Sequence, residues 1–519
     1  MTSLDLPPQL RDRGVRDPAP AVSARSRWLS RPGAAGTAVV LYAVVAALLA
    51  VLSDGVIMDD DLLHFIIARE AAGDARMLLD IWGRPGFTIP YAAVAWIGTS
   101  EQGFMISRLL SVAITSACAW LTFLVAQQAR IRPAWSAPVL LLMMPLFFAS
   151  GFTTTTEIIA AFYAILATWL LARGNHRFAA VVAAMLPITR HELVVLLVPL
   201  AISFLWRRDL LAMILLTWAE AAWNGAVWFF NLRGDHGILP IQRFFNTGEA
   251  GALGTGGGLH YLVKWIELSG VVIMLLSLLG ALLLLRQAFQ RRQVRMRLMM
   301  LLRRPKLLRH MRRPFWRGHL LRLLVAVGAL GVVSLHTYLY AFNSFQSGGY
   351  ARFLIPAAPW MAICAASALL PLSRLLEPLT TDSRTARVIA AAVIFIAVTA
   401  ALLHLGAYMR PHRLADDHRV IQQALADVRQ THPAHHITAS TMWVDYFLDR
   451  RFESPWPHYP LPWAEHHPQQ LLYFFERAHG KPEVLAELQK LPHRLVKTYH
   501  LPGADEADPP QLTVYERLH

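Results

Sequence analysis

Long apolar runs alternate with short charged turns along most of the chain. Residues 33–53, 109–129, 133–156, 268–285, 323–351, 353–373 and 388–409 contain no Asp, Glu, Lys or Arg. A helix needs about 20 such residues to cross roughly 30 Å of hydrocarbon, so the pattern predicts an all-α polytopic membrane protein. Basic turns recur between the apolar stretches: Arg130 and Arg132, Arg173 and Arg177, Arg207 and Arg208, the 286–322 loop, and Arg374, Arg384 and Arg387. Placing all five in the cytoplasm, as basic loops favour, gives eleven crossings. They run over 34–53, 106–127, 133–151, 157–173, 177–190, 193–207, 209–230, 265–286, 322–341, 353–371 and 388–406. Residues 85–100 are then a juxtamembrane or dipping segment, being short and interrupted by Pro85, Gly86 and Pro90.

Composition sharpens this picture. Of 519 residues, 55% are hydrophobic and 16% charged, against about 25% charged in soluble domains. A disordered chain, a disulfide-built secreted domain and an ordinary cytosolic enzyme are excluded. The net charge of +15 is local: residues 286–322 hold 13 Lys and Arg and no acid. Lying between two apolar spans, that loop reads as a cytoplasmic, lipid-facing segment and not as a nucleic-acid site. Arg11, Arg13, Arg16, Arg25, Arg27 and Arg31 make residues 1–33 a polar, disordered cytoplasmic N-terminus. Cys118 and Cys364 fall inside apolar spans and imply neither a disulfide nor a metal site. Arginine richness without a targeting signal favours a bacterial inner membrane.

An odd number of crossings puts residues 407–519 outside. This tail has 12 Lys and Arg against 14 Asp and Glu, ordinary values for a soluble domain. Short strands are expected at His436–Ser440, Arg494–Tyr499 and Gln511–Tyr515, and helices at 469–479 and 482–490, giving a small extracytoplasmic α/β domain after the transmembrane domain 34–406. Its histidines, including His435-His436 and His466-His467, lack the spacing of a zinc site.

On this topology the outer face collects the polar groups. Asp59, Asp60 and Asp61 follow the first span and begin a segment suited to a helix lying on the membrane surface. Adjacent carboxylates repel, so they call for a cation, a basic partner or open water; as a helix start they also favour the macrodipole. Glu157 follows Thr153–Thr156 at the second outer turn, and Arg190, His191 and Glu192 sit at the third. Arg233, Asp235, His236 and Arg243 occupy the fourth, before the Gly-rich stretch Gly248–Gly258. Arg352 ends the fifth, after Gly348, Gly349 and Tyr350. Boundary ionisable residues in a charge-poor membrane protein are functional candidates. Acids for proton transfer and arginines for a phosphate make a coherent pocket.

The first outer loop is more specific. Asp60-Asp61-Leu62-Leu63-His64, Ile67-Ala68-Arg69-Glu70 and Gly73-Asp74 resemble the D-E-x-x-Y, I-A-R-E-M and G-D stretch of membrane glycosyltransferases of the C-type (GT-C) fold, the protein O-mannosyltransferases and the bacterial aminoarabinose transferases of lipid A. Gly83-Arg84-Pro85-Gly86 is similar to their K-P-P-L segment. Gly98-Thr99-Ser100-Glu101 with Ser107-Arg108-Leu109 is similar to their G-x-S-E and R-L, and Tyr350-Ala351-Arg352-Phe353-Leu354-Ile355-Pro356 to their late R-Y-L-L-P. The resemblance extends over about 54–370.

It implies Asp60 as the catalytic base with Asp61 beside it, Arg84 in place of the lysine that contacts the donor phosphate, and Glu157 as the assisting acid. Arg352 and Arg190 are further phosphate candidates, and His64, His191 and Glu192 substrate-binding candidates. Asp replaces Glu at 61, His replaces Tyr at 64, and Gly86 replaces the second Pro. Asp59 offers a competing base one residue earlier. The implied reaction is an inverting transfer of a sugar from a polyprenyl-phosphate-linked donor to a glycan, lipid or protein acceptor. Three acids also form a set that a divalent cation accepts, although the resemblance leans towards metal-independent relatives. A transporter or flippase of lipid-linked saccharides is the alternative class; it calls for internal repeats with broken helices in matching positions, and the sequence lacks such halves.

Overall fold

The computed structural model describes residues 32–230, 256–290, 316–342, 348–381, 384–433, 435–439, 441–450, 471–476, 492–500 and 511–517. The basic segment 291–315, the N-terminal arginines, Arg233, Asp235, His236, Arg243, most of the Gly-rich stretch, residues 482–490 and His466-His467 lie outside them. Six helical stretches among the described residues are long and apolar enough to cross a membrane: Pro32–Leu52, Ser100–Gln128, Thr156–Arg173, His260–Ala288, Leu320–Ala341 and Ala351–Arg374. The first, α1 (Pro32–Leu52), turns Ala35, Tyr42 and Ala46 inward while Val40, Leu41 and Leu48 stay 58–63% exposed. An outward face this apolar suits lipid and not water.

At four of the other expected crossings the structure has shorter helices in place of one long one. Residues 133–151 form α5 (Ser136–Leu142) and α6 (Pro145–Ser150), split where Pro145 cannot donate a helical hydrogen bond. Residues 177–190 form α8 (His176–Ala183) and α9 (Met185–Thr189), and 193–207 a 3-10 turn at His191–Leu196 followed by α10 (Leu197–Arg207). Residues 209–230 are α11 (Leu210–Leu215) and α12 (Trp218–Phe229). Long helices α4 (Ser100–Gln128), α7 (Thr156–Arg173), α13 (His260–Gln290), α14 (Trp316–Ala341), α15 (Ala358–Thr381) and α16 (Arg384–Tyr408) complete the bundle. A capping box starts α4: Thr99 Oγ1 accepts from the Gln102 N–H and Gln102 Oε1 from the Thr99 N–H at 3.1 Å.

The first outer loop carries α2 (Asp59–Glu70), a 3-10 turn at Ala75–Leu79, and α3 (Pro85–Ala95), whose 11 residues are too few to cross. The expected surface helix exists, but its apolar face does not lie on lipid. Leu62, Phe65, Ile66 and Ala68 are at most 4% exposed, in one core with Phe87, Tyr91 and Phe104 and with residues of the C-terminal region, Ile421, Trp443 and Tyr446 among them.

That region contains α17 (Asp416–Thr431), β1 (His436–Ala439), α18 (Met442–Leu448), β2 (Leu471–Glu476), β3 (His493–His500) and β4 (Gln511–Arg517). The sheet order is β1-β2-β4-β3, with β1 and β2 parallel and the other pairs antiparallel. The helix expected at 469–479 is instead the inner strand β2. A run of five apolar residues, Leu471 to Phe475, has no period of its own, and pairing on both edges makes it an inner strand.

Candidate active site

Acids and arginines from four segments meet in an alternating chain at one end of the bundle. Asp60 Oδ2 accepts from Arg352 Nη2 at 2.6 Å. Arg352 Nε lies 3.6 Å from Glu157 Oε1, and the same oxygen pairs closely with Arg190 Nη1. Arg190 Nε closes the series on Glu192 Oε1 at 2.6 Å. Glu157 and Arg190 are 1–2% exposed and Glu192 7%. Ions this buried persist only when each is paired. The rings around them are aromatic: the Arg190 guanidinium sits 4.4 Å over Phe353, with Arg352 5.5 Å from the same ring.

Arg84 joins this group on different terms. Its Nη1 donates to Thr156 Oγ1 at 3.2 Å, a hydroxyl 3.5 Å from Arg190 Nη1. Among the described residues Arg84 has no carboxylate partner, and its buried Nε has no hydrogen bond. Burial, then the neighbouring Arg190 charge, lowers its guanidinium to about 10. Its backbone is also strained, at φ 58°, a region that costs a non-glycine residue about 1–3 kcal/mol. The turn holds it there. Asp80 Oδ1 accepts from the Trp82 and Gly83 N–H groups at 2.8 and 2.7 Å, and the Arg84 N–H donates to the Asp80 carbonyl at 2.9 Å. Gly86, two residues on, passes so close to Thr189 that a Cβ there overlaps its hydroxyl.

The three successive acids divide their partners. Consecutive helical residues project about 100° apart, and each carboxylate reaches a different element. Asp60 takes Arg352. Asp61, fully buried, accepts from the Thr154 N–H at 2.5 Å and from its hydroxyl, tying α2 to the turn before α7. Asp59 Oδ1 lies 3.3 Å from Trp443 Nε1 and 3.6 Å from His418 Nε2, both in the C-terminal region. Among the described residues no group of three His, Cys, Asp or Glu is arranged to hold a metal ion.

Electrostatics separate Asp60 from Asp61. Burial raises Asp60, but Arg352, His64 and Arg84 outweigh it and hold the group below the usual carboxylate range. Burial dominates at Asp61 and pushes it up despite Arg108 and Thr154. His64, packed 5.3 Å from Phe87, is lowered by burial to about 4, against the pull of Asp60, and is therefore neutral at ordinary pH.

The structure thus gathers Asp60, Glu157, Arg84, Arg190, Arg352 and Glu192 in one cluster, with His64 beside it. Asp59 and Asp61 face away to supporting elements. His191 stacks on Trp223, ring centres 5.4 Å apart. Several residues escaped sequence reasoning. Thr154 and Thr156 sit in a run whose only signal is its position before Glu157. Arg108 donates to the Ser53 and Gly55 carbonyls, bracing the approach to α2. His336, fully buried in α14, stacks on Phe353 at 5.5 Å. His418 and Trp443 carry no local signal at all.

A helical bundle whose first long inter-helix loop brings acids against arginines from later turns has the GT-C fold. Two solved structures share it. ArnT from Cupriavidus metallidurans in the apo state aligns with 95% of this chain and 98% of its own, at a TM-score of 0.55 and 12% identity. The same protein bound to undecaprenyl phosphate aligns with 92% of this chain and 97% of its own, at 0.52 and 13%. What is shared at this identity is the fold, and with it the multi-pass membrane character that the six long apolar helices express. No family model matches the chain, and no curated protein matches it.

Proposed function

We propose that this protein is an integral-membrane glycosyltransferase that moves a sugar from a polyprenyl-phosphate carrier to an acceptor hydroxyl on the extracytoplasmic side. The observation that carries this reading is the pairing of an acid, Asp60, with arginines at the outer end of the bundle, where Arg84 keeps a cation without a carboxylate partner. The fold neighbour bound to undecaprenyl phosphate supports a lipid-phosphate donor.

Nucleotide sugars are made in the cytoplasm, so an outward-facing site draws its sugar from a membrane carrier. The phosphate lies against Arg84, Arg352 and Arg190, whose planar donors suit its oxygens. Asp60 takes the proton of the acceptor hydroxyl as that oxygen bonds to the anomeric carbon. The bond from that carbon to the phosphate oxygen breaks, and polyprenyl phosphate leaves with the electron pair. The arginines stabilise the charge that grows on the leaving oxygen. One displacement inverts the anomeric centre. Glu157 holds Arg352 and Arg190 in place for this step, and His64 and Glu192 border the substrate.

The same reading takes the chain as eleven crossings, residues 1–33 in the cytoplasm and 407–519 outside, in a bacterial inner membrane. The short helix pairs between Ser136 and Phe229 support that number. Asp60→Asn, assayed with a radiolabelled polyprenyl-phosphate sugar in membranes, tests the mechanism. Transfer is expected to fall at least about 100-fold, the low end of general-base contributions. Full activity in that variant overturns the assignment of the base. Full activity in both Asp60→Asn and Arg84→Ala removes the site.

A further inference from the structure

The C-terminal region grips the outer catalytic loop at three points, one of them next to the proposed base. Trp443 Nε1 donates to Asp59 Oδ1 at 3.3 Å, and His418 Nε2 lies 3.6 Å from the same oxygen. The two rings stack at 3.9 Å with 27° between planes, and they are 2% and 6% exposed. Asp417 Oδ2, 3.8 Å from His418 Nε2, completes this contact. At the far end of α2, Asp449 accepts from the Ser100 N–H and hydroxyl, both at 2.7 Å, and lies 3.4 Å from Arg69 Nη2. Arg69 in turn donates to the Ala95 and Gly98 carbonyls at 3.0 and 2.9 Å. Before α2, the Asp54 and Gly55 N–H groups donate to the His412 carbonyl at 3.1 and 3.0 Å, and the Leu414 N–H to Asp54 Oδ1 at 3.1 Å.

The C-terminal region thus holds α2 at its approach, its first turn and its last. We propose that Trp443 and His418 are positioning residues for Asp60, acting through Asp59, which orients the helix and takes no proton. Asp59 and Asp60 are adjacent, so their Cα atoms are about 3.8 Å apart. Any tilt of the first turn therefore moves Asp60 relative to Arg352 and the acceptor. A misplacement of about 1 Å costs on the order of 100-fold in rate. This inference rests on the proposed role of Asp60 as the base, but its geometry has an independent readout.

The experiment uses the full chain in membranes and four substitutions: Asp59→Asn, which keeps the acceptor oxygen, Asp59→Leu, Trp443→Phe, which keeps the ring but removes the donor, and the Asp59→Leu/Trp443→Phe pair. Two quantities are measured. One is transfer from radiolabelled undecaprenyl-phosphate sugar. The other is the labelling of Asp60 by a water-soluble carbodiimide, followed by peptide mass spectrometry, which requires no turnover. Asp59→Asn is expected to keep both within about twofold. Asp59→Leu and Trp443→Phe are expected to lower kcat about 10- to 100-fold while binding of undecaprenyl phosphate, which also reports folding, is unchanged. They are expected to change Asp60 labelling at least about threefold, and the double variant to be no worse than either single one. Labelling unchanged in Asp59→Leu and Trp443→Phe overturns the proposal. So does Asp59→Asn as inactive as Asp60→Asn, since Asp59 then does chemistry. If the unsubstituted chain transfers no sugar, the glycosyltransferase reading falls, and the labelling still decides the positioning role.

Discussion

Arg352 Nη2 and Asp60 Oδ2, 292 positions apart in the chain, lie 2.6 Å from each other. A carboxylate paired in this way stays ionised at low pH. It is also a weak base until the arginine turns to another anion. Under the proposed function the donor phosphate is that anion, and Asp60 and the phosphate compete for one guanidinium.

The pH dependence follows with a defined sign. Asp60 is held below the usual carboxylate range of about 3.9, with burial opposing Arg352. Its basic form therefore survives to low pH, and kcat/KM is lost only as the pH falls through that lowered value. Removing Arg352 takes away the largest charge opposing burial and leaves only His64 and Arg84 against it. In Arg352→Gln the acid limb of a kcat/KM profile is expected to move to higher pH, and a limb that stays in place separates Asp60 from the observed titration.

Arg84 supplies a second prediction. Losing a charge-assisted hydrogen bond costs about 1.5–3 kcal/mol, so Arg84→Ala is expected to weaken donor binding roughly 10- to 150-fold. Thermal stability should change little, because alanine keeps the Cβ that strains a φ of 58° and the cation removed has no carboxylate partner among the described residues. Titration with undecaprenyl phosphate, alongside thermal unfolding in detergent, checks both halves.

Asp61 belongs to the scaffold. With its two contacts to Thr154 in a fully buried setting, Asp61→Ala leaves the Thr154 N–H and hydroxyl without that acceptor. The expected cost is about 1–3 kcal/mol, seen as a lower unfolding midpoint. A rate loss without that drop assigns Asp61 to the chemistry.

Gly86 gives a steric test. Its missing Cβ is the space taken by the Thr189 hydroxyl, and overpacking of this kind costs about 1–3 kcal/mol. Gly86→Ala is expected to lower the unfolding midpoint, and Thr189→Ala in the same chain to restore part of it. An equal midpoint in Gly86→Ala and the unsubstituted chain rules out the close approach of α3 to α9.

The bundle, α2 and three of the four strands were legible because each depends on local pattern: apolar runs for the helices, short strand-forming segments for β1, β3 and β4. β2 was not, since Leu471–Phe475 is apolar on every face and only its neighbours choose strand over helix. The site was legible as residue types on one side of the membrane. Its internal assignments were not. Asp61, Asp60 and Asp59 find Thr154, Arg352 and Trp443 at separations of 93, 292 and 384 residues, and nothing in three identical letters says which one faces which partner. His418 and Trp443 escaped for the same reason, as ordinary residues of an ordinary-looking tail.

The core shared by α2 and the C-terminal region also has a temporal meaning. Leu62 and Phe65 emerge from the ribosome early, and Ile421, Trp443 and Tyr446, which share their core, emerge only after every membrane helix described here. While the chain is being made, the loop after α1 has partners for Asp60 and Asp61 but none yet for Asp59, and one side of its core is missing. Synthesis of the tail supplies both, so a molecule cut short before α17 keeps the acid–arginine pairs and lacks the contacts that hold α2 from the other side.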